Sequence, residues 1–135
     1  MPRFTKADDF GRHMKKALDR LQAETLIQVQ DEIGTTAISP YKTGRLRSSW
    51  FAAEGESSNE TAPEGTDRPN RDARELRVDS SKTYHLTNNL DYVQAVALEG
   101  KVRSQPPNWF FDFIAVRIPE IQDTAADVVK RRFDL

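Results

Sequence analysis

From Phe110 onward, apolar side chains recur at Phe110, Ile114, Ile118, Ile121, Ala125 and Val128. The steps are all three or four residues, which puts these side chains on one face of an α-helix. A second stripe, Phe10, Met14, Ala17, Leu18, Leu21, Leu26, Val29 and Ile33, runs through the other end of the chain. An amphipathic helix must bury its stripe against another layer. What lies between the two stripes therefore decides the fold.

The first helix is expected from about Ala7 to Gly34, with Thr5 or Asp8 as its cap and Gly34 at its end. Arg12, Lys15, Lys16, Asp19, Gln22 and Asp31 take its wet face. Such a helix is long for a small domain, so part of its stripe is available to a neighbouring subunit. Ser39-Pro40 then breaks the chain, because the residue before proline is pushed out of the helical region. Thr43 can cap a short helix, Gly44 permits a tight entry, and Leu46 and Trp50, four apart, share a face. Strands are expected near Ser48 to Glu54, Ala73 to Asp79 and Thr83 to Asn88, where Leu76 and Val78, then Tyr84 and Leu86, alternate with polar residues. Asn89 or Asp91 can cap a helix running through Tyr92 to Leu98 and closed by Gly100. Pro106-Pro107-Asn108 opens the last helix, with Asn108 as its cap. Pro119 lacks a backbone donor and should kink or restart that helix. Lys130, Arg131 and Arg132 sit where the helix dipole favours positive charge.

Between Glu54 and Asp67 there are five acidic residues and no basic one, among glycine, serine, asparagine and proline. That composition buries too little apolar surface to order itself. The expected fold is therefore α+β: one domain over residues 1–135, with a small antiparallel sheet packed by a long N-terminal helix and a C-terminal helix. A long flexible acidic loop, about residues 55–71, leaves that sheet.

Composition narrows the function. The chain has 135 residues, enough for one core without disulfides, and it has no cysteine. Twenty basic residues face twenty-one acidic ones. A protein that grips DNA by its phosphates is usually clearly basic, so that role is disfavoured. No apolar run reaches the ~18 residues of a membrane span, and Met1 to Phe10 holds no apolar stretch suited to a signal peptide. The expectation is a protein made in the cytoplasm, to stay there or to be built into something larger.

Enzymatic constellations are sparse. His13 lies among Arg12, Lys15 and Lys16 on the wet side of the first helix, and His85 alternates with Tyr84 and Leu86. They have no short metal-ligand spacing. There is no glycine-rich phosphate loop and no Gly-x-Ser-x-Gly elbow. Asp79, Asp91, Glu99 and Asp112 are scattered, and read as caps and solvated faces. No catalytic residue, metal or cofactor is expected, and the chain reads as a non-enzyme. Lys42, Arg45 and Arg47, with no acid among them, could bind phosphate beside Trp50-Phe51 or Trp109-Phe110-Phe111. A nucleic-acid-binding module using that patch is the alternative.

The stretch Pro40-Tyr41-Lys42-Thr43-Gly44-Arg45-Leu46-Arg47-Ser48-Ser49-Trp50 resembles the tail-component proteins of long-tailed double-stranded DNA bacteriophages. These act in tail completion or at the head–tail junction. Pro40, Thr43, Gly44, Arg45, Leu46, Arg47 and Ser49 match the family's first block, and Tyr92, Glu99 and Gly100 a second; Pro106 and Pro107 begin a third. Lys42 departs from it, standing where the family often has an acid. The resemblance implies a virion structural protein of the tail or neck, assembled in the host cytoplasm as a tail-completion, terminator or neck component. It implies a homo-oligomeric ring, with six copies the expected number, between the head connector or stopper and the tail tube. DNA would pass through its lumen without specific binding, and no membrane would be involved. Arg45 and Arg47 would be free for carboxylates, either Glu99 in the same subunit or the acidic loop of a neighbour.

Overall fold

The computed structural model describes residues 7–35, 45–98 and 108–135. Helix α1 (Ala7–Ile33) is followed by a single turn, α2 (Arg45–Ser48), and strand β1 (Trp50–Glu54). A 3-10 turn (Asp72–Glu75) precedes strand β2 (Tyr84–Asn88). A π-helical turn (Gln94–Leu98) comes next, then α3 (Trp109–Asp112), a second π turn (Phe113–Arg117) and α4 (Ile118–Arg132). The architecture is α+β. Strands β1 and β2 pair antiparallel, with Trp50 opposite Asn88 and Glu54 opposite Tyr84. The proposed caps at Thr5 and the break at Ser39-Pro40 lie outside the described residues.

Helices α1 and α4 run antiparallel. The Arg117 guanidinium binds both oxygens of Glu32 at one end, and the His13 ring nitrogen meets the Phe133 carbonyl oxygen at 2.8 Å at the other. The Glu32 pairing raises the Arg117 pKa, aided by Glu120. His13 is thus half-buried against the end of the chain, not on the wet side. Between α1, α4 and the inner face of the sheet lies the core: Ile33, Trp50, Ala97, Trp109, Phe113 and Ile121. Burial alternates along β1, so Trp50 and Ala52 face the helices, while Phe51 and Ala53 face away.

The last stripe keeps its expected Ile118, Ile121 and Ala125, but ahead of them it is set one residue off, on Trp109 and Phe113. Trp109, Phe113, Ile121, Ala125 and Val129 are buried, with Ile118 half-buried against them. Ile114 is 46% exposed, and Val129 replaces Val128 in the core. The cause is the second π turn: the Ile118 N–H bonds back five residues to the Phe113 carbonyl. One added residue carries Phe113 and Ile118 onto the same face although they are five apart. Pro119 sits in the first turn after it. It has no N–H to give to the Ala115 carbonyl, so widening the ladder just before it sacrifices nothing further. Asn108, expected to cap through its side chain, makes no such bond.

No strand forms at Ala73 to Asp79. The free edge of β1 is occupied instead by side chains. The Gln30 amide donates to the Trp50 carbonyl oxygen at 3.0 Å and to Asp72 Oδ1, which also accepts the Ala52 N–H at 3.1 Å. Gln30 Oε1 accepts the Ala73 N–H at 2.9 Å. These groups satisfy the backbone positions that a third strand would have used.

The segment after the 3-10 turn is held to α1 by a polar cluster. Lys15 Nζ donates to Asp19 and, at 2.7 Å, to Asp79. The Lys15 bond, with the Ser81 hydroxyl and N–H, holds Asp79 well below the usual carboxylate range. Desolvation pushes Asp19 up, but Lys15 and the Ser80 N–H and hydroxyl outweigh it and bring the carboxyl below its ordinary value. Both carboxyls bind protons less readily folded than unfolded. Their contribution is complete above the unfolded value near 3.8 and is lost as pH falls further, through the depressed folded values. Urea melts should therefore show wild-type stability declining faster than that of Asp79→Asn as pH drops below about 5. Parallel pH slopes for the two proteins would refute the cluster's contribution.

Candidate assembly site

The stretch from Arg45 to Trp50 builds a clamp. Arg45 opens α2 and Ser49 follows it, four residues apart and on one side of the turn. Between them they hold both backbone groups of one peptide unit in the acidic loop. Arg45 Nε donates to the Ala62 carbonyl oxygen at 2.8 Å, and Ser49 Oγ accepts the Ala62 N–H at 3.1 Å. Ala62 and Ser49 are buried, and Arg45 and Arg47 are half-buried. Leu46 is buried beneath the clamp. The turn is closed by the Ser49 N–H on the Leu46 carbonyl, which also accepts Asn88 Nδ2 at 2.9 Å.

Trp50 begins β1 directly after this turn. Its ring stacks on Phe110 with centroids 6.0 Å apart, and Trp109 meets Phe110 edge-on. The Trp109 indole donates to the Val96 carbonyl oxygen at 2.9 Å. Leu46 and Trp50 both reach the interior, Trp50 from a strand and not from the expected shared helix face. The aromatic pairs proposed for base stacking are thus committed largely to the core. Phe51, half-buried on the outer face of β1, and Phe111, at 51% exposure, are the exceptions.

The acidic segment does not swing free of the sheet. It folds back over the outer face of β1 and β2. The Gly55 N–H bonds the Thr83 carbonyl oxygen at 2.8 Å, and His85 meets the Gly55 carbonyl oxygen at 2.9 Å. Asn89 Nδ2 donates to the carbonyl oxygens of Ser58 and Glu60, so Asn89 anchors the loop and not the following helix. Backbone and side-chain hydrogen bonds supply the fixing that apolar burial could not. Sequence reasoning missed Ser49, Ala62 and Asn89 in these roles. The four-residue spacing of Arg45 and Ser49 was the one available signal.

Arg45 thus spends one donor on a carbonyl of its own loop, not on a carboxylate. Pro40, Lys42, Thr43, Gly44, Glu99 and Gly100 lie outside the described residues, as do Pro106 and Pro107. Tyr92 is partly exposed, with its carbonyl accepting the Val96 N–H. Among the described residues no three His, Asp or Glu side chains gather as metal ligands do. Asp79 is engaged by Lys15 and Ser81, far from Asp112 in role and element. No helix of the described residues is long and apolar enough to cross a membrane.

If Arg45 holds the loop, Arg45→Ala should cost about 1–2 kcal/mol, the usual worth of a hydrogen bond to a charged donor less solvent compensation. Limited digestion with a glutamate-specific protease should then cut faster at Glu60 and Glu64. Unchanged cleavage would show that the clamp does not restrain the loop.

No family model, curated protein or solved structure matches this chain. The resemblance therefore rests on the motif residues themselves.

Proposed function

We propose that this chain is a bacteriophage virion structural protein of the head–tail junction, acting in tail completion, as a tail terminator or in the neck. It would assemble as a ring, with six copies the expected number, around the DNA channel. The observation that carries this reading is the pairing of a fold-building motif with a surplus apolar face. Phe111, Ile114 and Val116 are exposed by 51%, 46% and 58% along and beside the second π turn. That face is surplus to the core, which the neighbouring Phe113 fills. Exposed apolar groups along one segment suit contact with another subunit, and ring closure needs one face of a subunit to meet a different face of the next.

The alternative, a nucleic-acid-binding module built on Lys42, Arg45 and Arg47, needs guanidinium groups facing solvent. Arg45 and Arg47 are half-buried and Arg45 is bonded to Ala62, which favours a fold-building role for the motif. In the proposed ring, a lumen without a dense basic surface lets DNA slide, because each phosphate contact adds salt-dependent affinity.

The double variant Ile114→Asp with Val116→Asp tests the reading in infected cells. Both side chains already face solvent, so the purified variant should keep the wild-type melting temperature. Heads and tails made with it should fail to join, scored by electron microscopy and plaque count. Normal joining, or a virion neck map without density for this chain, would overturn the reading.

A further inference from the structure

Among the described residues, two separated places carry unpaired charge of opposite sign. One is the tip of the acidic loop. Pro63-Glu64-Gly65-Thr66 forms a β-turn, with the Thr66 N–H on the Pro63 carbonyl oxygen at 3.1 Å and Gly65 at φ 86°. Ala62, buried under the clamp, fixes the base of this turn. Glu60, Glu64 and Asp67 stand exposed on and around it with no ion pair among the described residues. The turn is therefore a preformed knob carrying carboxylates, with Arg68 closing the run.

The other place is an open groove of about 360 Å³ between α1, the segment before Asp79, and the end of α4. Leu76 and Val78 form its apolar wall, and Lys16, Arg20 and Arg132 its rim. Asp19 in the groove is already met by Lys15 and Ser80, and Arg20 is met by Glu24. Lys16 and Arg132 are exposed and have no ion pair among the described residues. The groove therefore keeps an uncompensated positive rim.

Knob and groove cannot serve each other within one molecule. Gly34, at the end of α1, lies against Arg47 and Pro69 at the base of the loop. Lys16 is eighteen residues earlier on the same helix, a span of about 27 Å at the helical rise. The Debye length at physiological salt is only about 8 Å. The geometry points to a second copy of this chain as the occupant: the Pro63–Thr66 turn of one subunit seats in the Lys16/Arg132 groove of the next, its carboxylates on the basic rim. Made in one direction, this contact is head-to-tail, joining two different faces, as ring closure requires. It rests on the ring reading above and names the surfaces that would form it.

Carbodiimide coupling of an equal mixture of ordinary and nitrogen-15-labelled chain, read by mass spectrometry, tests the contact. The expected result is mixed-isotope links from Lys16 to Glu60, Glu64 or Asp67, abundant at low salt and reduced at least tenfold near 1 M, where screening shortens to about 3 Å. Two variants complete the test: Glu64→Lys with Asp67→Lys, and Lys16→Glu with Arg132→Glu. Each alone should fail to associate in sedimentation at high protein concentration, and an equal mixture of the two should associate again, since reversed charges then face each other. All four positions are exposed, and unchanged melting curves confirm folding. Self-association with mixed links mapping elsewhere, for example around Ile114, would overturn this contact while leaving the ring standing. Absence of any mixed link overturns the contact, and failure of the Ile114/Val116 variant to affect joining separately overturns the ring. Salt-sensitive duplex DNA binding abolished by Lys16→Glu, without association of copies, would assign the groove to nucleic acid and overturn the proposal.

Discussion

Gln30→Ala should lower the free energy of unfolding by about 3–5 kcal/mol. Gln30 has no exposed surface, and its amide makes three hydrogen bonds, to Trp50, Asp72 and Ala73. Removing it leaves a buried carbonyl and a buried N–H without partners, at about 1–3 kcal/mol each. The cavity from the lost side chain adds to this. A domain of this size has only about 5–15 kcal/mol in total, so the variant should be close to unfolding at body temperature. Gln30→Met separates the two causes. It restores most of the volume and none of the hydrogen bonds, so it should recover only a minor part of the loss. Urea melts give the energies, and amide exchange at Ala73 and Ala52 should accelerate in both variants. A methionine variant as stable as wild type would show that packing alone holds this edge.

That prediction also marks where sequence reasoning stops. The two amphipathic stripes announced α1 and the last helix, because helical spacing needs no knowledge of partners. Strand β2 was legible from Tyr84 and Leu86, and the two-strand pairing followed from β1 beside it. The missing third strand was not legible. Leu76 and Val78 alternate as a strand would, yet the edge they needed is held by Gln30 and Asp72. Gln30 stands four residues after Leu26 and three before Ile33, so spacing places it on the buried face, but only the fold reveals which backbone groups its amide meets. Pro119 correctly announced an irregularity in the last helix. It did not reveal that the irregularity is a π turn, which moves the core from Ile114 to Phe113. Periodicity assumes one helical pitch throughout, and a single inserted residue breaks that assumption. For the candidate site, the motif was legible but the clamp on Ala62 was not. Arg45 was expected to seek a carboxylate, since charge is visible in a sequence, and the Glu99 named for it lies outside the described residues. One of its bonds goes to a backbone carbonyl, and such partners carry no sequence mark.

Trp50→Ala should cost about 3–5 kcal/mol, the range for truncating a buried tryptophan. It should expose why the motif ends in this residue. The ring of Trp50 is buried, stacks on Phe110 from α3, and belongs to the same cluster as Ile33, Phe113 and Ile121. Among the described motif residues, it is the one that belongs to the helical core cluster. Its loss should therefore loosen the clamp as well, and protease cleavage at Glu60 and Glu64 should rise beyond what Arg45→Ala alone produces. Trp50→Phe keeps an aromatic face for Phe110 and should lose no more than about 1.5 kcal/mol, the upper end for a volume-reducing aromatic contact. The phenylalanine variant divides the two roles open to the motif. On the proposed head–tail role, if Trp50 only builds the fold, a folded phenylalanine variant joins heads to tails at the wild-type level. If joining collapses while the melting curve stays near wild type, the tryptophan touches a neighbour, and the buried position found in the isolated chain opens on assembly. The stacking on Phe110 and the 5% exposure of Trp50 favour the first outcome. They leave the exposed side chains of Ile114 and Val116, not Trp50, as the apolar groups this part of the chain offers to an adjoining component in the proposed assembly.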